Sequence, residues 1–93
     1  MNEEKFRRIH IKCNKNRKDL QKAKKCGCFC CLRIFSTKEI KEYIDLEGET
    51  ALCPYCEVDS VIADVVSGYK VTPKLLNDLH EFFFASIKDL EEF

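Results

Sequence analysis

A small α+β domain, with a short β-hairpin flanked by helices, is the fold class this 93-residue sequence predicts. Three observations predict it. Two Cys-x-x-Cys pairs, Cys28/Cys31 and Cys53/Cys56, stand twenty-one residues apart. Short stretches of strand character lead away from the first pair and into the second. A long apolar stripe at helical spacing fills the C-terminal end. A chain this short makes one domain and buries a limited share of its surface, so a metal staple matters to its stability.

Taken in order, residues 2–12 favour a helix with Phe6, Ile9 and Cys13 on one side. Asn14 and Asn16 weaken it, and a second helical stretch is expected over residues 15–24. Cys26-Gly27-Cys28 ends that region sharply. Leu32, Arg33, Ile34 and Phe35 read as a short strand. Ser36 followed three residues later by Glu39 is a capping-box pattern, expected to open a helix to about Ile44 with Ile40, Tyr43 and Ile44 inward. Gly48 marks a turn, and Thr50, Ala51 and Leu52 read as a strand entering Cys53. Asp59 is placed to cap a helix carrying Val61, Ile62, Val65 and Val66, which Gly68 would stop, with a strand the alternative that the β-branched content allows. Thr72-Pro73 is an N-cap followed by an N1 proline. The helix it opens should run towards Glu92, burying Leu76, Leu79, Phe83, Ile87 and Leu90, with Leu75, Phe82 and Phe84 widening the stripe.

The cysteine spacing carries the chemistry. Two residues between thiolates let a tight turn aim both sulfurs, and its amides, at one ion. Two such turns supply the four soft ligands of a closed tetrahedral zinc site. Cys28, Cys31, Cys53 and Cys56 are therefore the expected ligands of one structural Zn2+, with iron the competing metal for four thiolates. Lys24, Lys25 or Arg33 would moderate the net negative charge of such a site. Cys26 and Cys30 lie close to the first pair, but only Cys28 and Cys31 have the two-residue spacing. A second metal held by His10, Cys13, Cys26 and Cys30 is a further arrangement the sequence allows.

The order of parts, a first knuckle, strand, insertion, strand, and a second knuckle leading into a helix, resembles a treble-clef zinc finger. The strings Cys26-Gly-Cys-Phe-Cys-Cys-Leu-Arg-Ile-Phe35 and Leu52-Cys-Pro-Tyr-Cys-Glu-Val-Asp-Ser-Val61 carry the likeness. They are also similar to those of a group of small bacterial cytoplasmic proteins, over roughly residues 26–84. The resemblance implies a bacterial origin, a cytoplasmic location and a structural zinc, and brings no activity with it. A helix inserted after the first knuckle departs from a minimal clef, and a zinc ribbon is the competing geometry.

Charge is balanced overall, with 16 basic and 16 acidic residues, but unevenly placed. Residues 1–25 hold ten Lys/Arg against three acidic residues, a net +7, and residues 26–93 carry the compensating −7. A basic N-terminal helical arm (1–25) on an acidic zinc domain (26–93) suits an acidic partner or a nucleic-acid backbone, or the arm folds back on the body. The phenylalanine run Phe82-Phe83-Phe84 suits a protein partner or homodimer. No apolar run approaches the ~20 residues needed to cross a bilayer, and the first residues lack the apolar core of a signal peptide. A chain with paired Cys-x-x-Cys motifs and no such signal is expected to hold metal in the cytoplasm rather than to form disulfides.

Two kinds of reactivity remain to be weighed. Asp59, Asp64 and His80 would form a catalytic metal site only by converging in space, as in treble-clef nucleases. Two positions five apart fall about 140° apart around a helix, which argues against a shared face. Cys26 and Cys30, beside Lys24 and Lys25, would respond to oxidants if their thiols were acidified. The sequence best supports a non-enzymatic zinc module for protein interaction, followed by a nucleic-acid-binding accessory protein, with a metal-dependent nuclease the least supported.

Overall fold

The computed structural model describes residues 3–66 and 68–85. Two helices come first, α1 (Glu3–Ile11) and α2 (Arg17–Lys22), followed by strands β1 (Lys25–Cys28), β2 (Ile34–Ser36), β3 (Tyr43–Ile44), β4 (Thr50–Ala51) and β5 (Val61–Ala63), then helix α3 (Pro73–His80). The chain is a mixed α+β fold. Its sheets are both antiparallel: one of order β2-β1-β5, and a separate β3-β4 hairpin.

The helical faces form as their spacing dictates. Phe6 and Ile9 of α1 are buried with Cys13 in one core cluster, together with Phe29, Ile62 and Leu75, Leu76 and Leu79 of α3. Thr72 caps α3 as expected, its hydroxyl accepting the Leu75 N–H at 3.1 Å, with Pro73 at the first helical position. A single π-type turn, Glu81–Ala85, continues α3 and brings Phe82, Phe83 and Phe84 against the same core. The expected extension through Ile87 and Leu90 to Glu92 lies outside the described residues.

Gly27 explains how α3 comes so close to the sheet. A Cβ there would stand 2.7 Å from a methyl of Val71 and 2.9 Å from one of Leu76. Only a residue without a side chain lets the helix settle directly on β1.

Two expected helices are corrected. The capping box forms in full: the Ser36 side chain accepts from the Lys38 N–H, and Glu39 accepts from the Ser36 N–H at 3.0 Å. It caps only a 3-10 turn, Thr37–Glu39, because Ile40 is already extended. Tyr43 and Ile44 instead pair with Ala51 and Thr50, which leaves Ile44 exposed and not inward. Beyond the second cysteine pair there is no helix capped by Asp59. Val61, Ile62 and Ala63 form β5, paired with Cys28, Gly27 and Cys26 and fully buried. The β-branched run took the strand, where both faces are covered. The strand also replaces the helix that a treble clef carries after its second knuckle. Val65, beyond β5, has φ +58°, a left-handed conformation that costs a β-branched residue on the order of 1–3 kcal/mol.

A buried asparagine joins the two sheets. Asn16 is 1% exposed; its amide donates to the Val61 carbonyl at 2.7 Å, and its oxygen accepts the Ala51 N–H at 3.1 Å. One side chain thus stands in for a strand between β5 and β4.

Candidate metal centre

Six-residue turns build the centre, and they are built alike. In the first, Cys28 N–H donates to the Arg33 carbonyl at 2.9 Å and Leu32 N–H to the Cys28 carbonyl at 2.8 Å. In the second, Cys53 N–H donates to Val58 at 3.0 Å and Glu57 N–H to Cys53 at 2.9 Å. Leu32 and Glu57, each directly after the second cysteine of its pair, have φ of +66° and +62°. These left-handed residues reverse the chain so that both cysteines of a pair face the same point.

The amides follow the sulfurs. Cys30 N–H points at the Cys28 Sγ and Tyr55 N–H at the Cys53 Sγ, each at 3.4 Å. The Arg33 and Val58 amides do the same for Cys31 and Cys56. Each turn therefore offers its thiolates backbone donors, the usual means of holding negative sulfur in a partly dry site.

The four sulfurs of Cys28, Cys31, Cys53 and Cys56 all lie within 4.8 Å of one another. Cys28 and Cys56 are 3.6 Å apart, and Cys31 and Cys53 3.7 Å. Sulfurs bound tetrahedrally at about 2.3 Å from a cation are about 3.8 Å apart, so the spacing fits a shared ion. All seven cysteines are free thiols. The four are positioned to bind a metal ion, two of them buried and two half-buried.

Electrostatics separate three of the four. Burial pushes Cys28 up, but the Ser60 hydroxyl, 3.1 Å away, and the amides of Cys31 and Cys30 outweigh it and hold the thiol below its ordinary value. Burial raises Cys31 to about 11, and burial with proximity to Cys28 raises Cys56. The hydrogen bonds thus favour the anion at Cys28 over those at Cys31 and Cys56. Binding a metal displaces the remaining protons.

The other expected arrangements do not assemble. Among the described residues the four cysteines are the only group of three or more His, Cys, Asp and Glu ligand atoms close enough to share a metal. Cys26 lies buried in β1 against Phe35, its thiol 3.7 Å from that residue's carbonyl, and Cys13 belongs to the other core cluster, so they share no site. Burial raises Cys26 to about 12 and Cys13 to about 11, the reverse of the acidification a redox role for Cys26 requires. Asp64 accepts the Val71 N–H at 3.1 Å, and His80 holds the Phe29 carbonyl 3.0 Å from Nδ1, which must then carry the proton. Asp59 is exposed on a separate loop. Arg33 does not turn to the sulfurs; its guanidinium lies 4.5 Å over Tyr55, whose hydroxyl donates to Glu39.

Sequence reasoning missed Ser60 and Asn16. A serine four residues after a cysteine pair carries no signal of its own; it reaches Cys28 because β5 pairs with β1. Asn16 read as a helix breaker, and its true partners lie 35 and 45 residues away.

Set against models of known families, curated proteins and solved structures, the chain matches none. Among the described residues no helix is long and apolar enough to cross a membrane.

Proposed function

We propose that this protein is a non-enzymatic binding module whose fold is held by one structural zinc on Cys28, Cys31, Cys53 and Cys56. The observation that carries the reading is the near-identity of the two turns, which aim four sulfurs at one point. Zinc suits the donor set because it takes four thiolates tetrahedrally and closes the site against further ligands. Structural zinc contributes on the order of 10–16 kcal/mol of apparent binding free energy in small finger peptides. That is comparable with the whole net stability of an ordinary domain, about 5–15 kcal/mol.

Of the two zinc folds that the spacing suggests, the ribbon is favoured over the treble clef, because the first knuckle joins two paired strands and a strand, β5, follows the second where a clef has a helix. A reducing cytoplasm suits seven free thiols. We read the division at residue 25 as one of charge and not of packing, since Phe6, Ile9 and Leu20 from the basic segment are buried in the two cores. Protein contact is supported by the apolar groups that the knuckles leave outside: Leu32, Ile34 and Tyr55 are 40%, 38% and 47% exposed. Around them Arg33 and Tyr55 supply the residue types that anchor interfaces.

Elemental analysis of purified protein should find one zinc per chain, and chelation should abolish its helical circular dichroism. Cys13→Ser should retain the metal, because Cys13 lies in the other core. Iron in place of zinc would show as visible thiolate absorption. Folded protein without any metal would defeat the proposal.

A further inference from the structure

The structure sorts the basic residues of the N-terminal segment into those already engaged and those left over. Arg7 and Arg8 pair with Glu3 and Glu4 one helical turn away. Lys5 lies 4.4 Å over the Tyr69 ring. Arg17 donates to the Gly48 carbonyl at 2.8 Å and lies over Tyr43. Lys12, Lys15, Lys18, Lys22, Lys24 and Lys25 are exposed and, among the described residues, pair with no carboxylate. Of these, Lys12, Lys22 and Lys24 line one groove of about 500 Å3.

The groove has fixed walls. The end of α1 brings Lys12, and the end of α2 brings Lys22. Lys24 follows on a backbone held from behind, where the Thr37 hydroxyl donates to the Ala23 carbonyl at 3.0 Å and the Thr37 N–H to the Lys24 carbonyl at 3.1 Å. The facing wall is the turn after β5, with Asp64 tied back to Val71 and Val65 exposed in its left-handed conformation. Among the described residues no aromatic ring lines it, so none of them stacks on a base.

We infer that this groove binds the phosphodiester backbone of a nucleic acid, with Lys12, Lys22 and Lys24 as its phosphate contacts. Three lysines without base-stacking partners give binding that depends on salt and is indifferent to sequence. Asp19 and Asp64 line the same groove and oppose an anion, which keeps the affinity modest and confines contact to where the lysine side chains reach. The inference rests on the zinc-held fold of the preceding section but not on its protein-contact reading, since the knuckles and the groove are built from different residues.

The test is fluorescence anisotropy of zinc-loaded, full-length protein with labelled single-stranded and duplex oligonucleotides of mixed sequence. Three phosphate contacts give a log–log salt slope of about −2.1 to −2.7, so affinity should fall roughly 20- to 40-fold between about 50 and 200 mM salt. Lys22→Ala/Lys24→Ala should reduce that slope to about −1, one remaining contact. Lys74→Ala, whose charge is spent on Asp78 at 3.1 Å on α3, should bind as the wild type does. Asp19→Asn should tighten binding. Zinc-loaded, folded protein that ignores both oligonucleotides at low salt overturns the inference and leaves the zinc proposal standing. A salt slope left unchanged by Lys22→Ala/Lys24→Ala, or binding that an aspartate-rich peptide displaces as readily as nucleic acid does, overturns it too. Protein that takes up no metal defeats the zinc reading instead.

Discussion

The two cysteine turns share a backbone but not a foundation. Their hydrogen bonds agree to within 0.1 Å, at 2.9 and 2.8 Å in the first and 3.0 and 2.9 Å in the second. The first grows from β1 and β2, which pair with each other on either side of it. The second is entered from β4 and left into β5, and these two do not pair: β4 joins β3, and β5 joins β1. Between its arms stands one asparagine side chain. The knuckle is therefore a local object that six residues can make anywhere, while its anchorage comes from distant parts of the chain. A metal shared by both turns would tie the two sheets together where the second turn has least support of its own.

Removing the metal should accordingly have the largest effect, and it should be unequal. Chelation, Cys28→Ser or Cys56→Ser each forfeits most of a contribution on the order of 10 kcal/mol. Hydrogen exchange on the chelated protein should lose protection first at residues 53–58, whose arms do not pair with each other. Protection lost first, or only, at residues 28–33 would reverse the comparison. Asn16→Ala comes next. It leaves the buried Val61 carbonyl and Ala51 N–H without partners, at about 1–3 kcal/mol each. Denaturant unfolding of the metal-loaded protein should show the sum, about 2–6 kcal/mol. A loss under ~0.5 kcal/mol would mean that water or strand rearrangement replaces the bridge.

What the sequence disclosed follows the range of the forces involved. The cysteine spacing, the Ser36/Glu39 capping box and the Thr72-Pro73 start of α3 are each complete within four residues, and each formed. The extent of the helix after Ser36 is a different matter, because the β3-β4 hairpin claims Tyr43 and Ile44 from outside. The stretch 61–66 was open to helix or strand by composition alone. Pairing with β1, more than thirty residues away, decided it. Four thiols were readable as a set from spacing, but Ser60 beside Cys28 and Asn16 between the sheets are products of that same long-range pairing. Cys26 shows the limit from the other side: its lysine neighbours in sequence suggested an acidic thiol, and burial in β1 made it the opposite.

Three smaller substitutions probe the knuckles, one where the first is anchored and one inside each turn. Gly27→Ala strains the foundation of the first, because the new methyl meets Val71 and Leu76 side chains at 2.7 and 2.9 Å. Overpacking of this kind costs about 1–3 kcal/mol, and the metal content should stay at one per chain because the turn itself is untouched. Leu32→Gly and Glu57→Gly act inside the turns, where φ values of +66° and +62° strain any residue with a side chain. Each should stabilise the loaded protein by up to ~1 kcal/mol, since relief of the left-handed strain is partly offset by glycine's greater freedom in the unfolded chain. Leu32 also takes an exposed apolar side chain with it, so its replacement should improve solubility where that of Glu57 does not. Equal gains in melting temperature would show that the turns are energetically interchangeable whatever holds their ends. A gain confined to Leu32 would mean that Glu57's strain is already absorbed by the looser arms of the second turn.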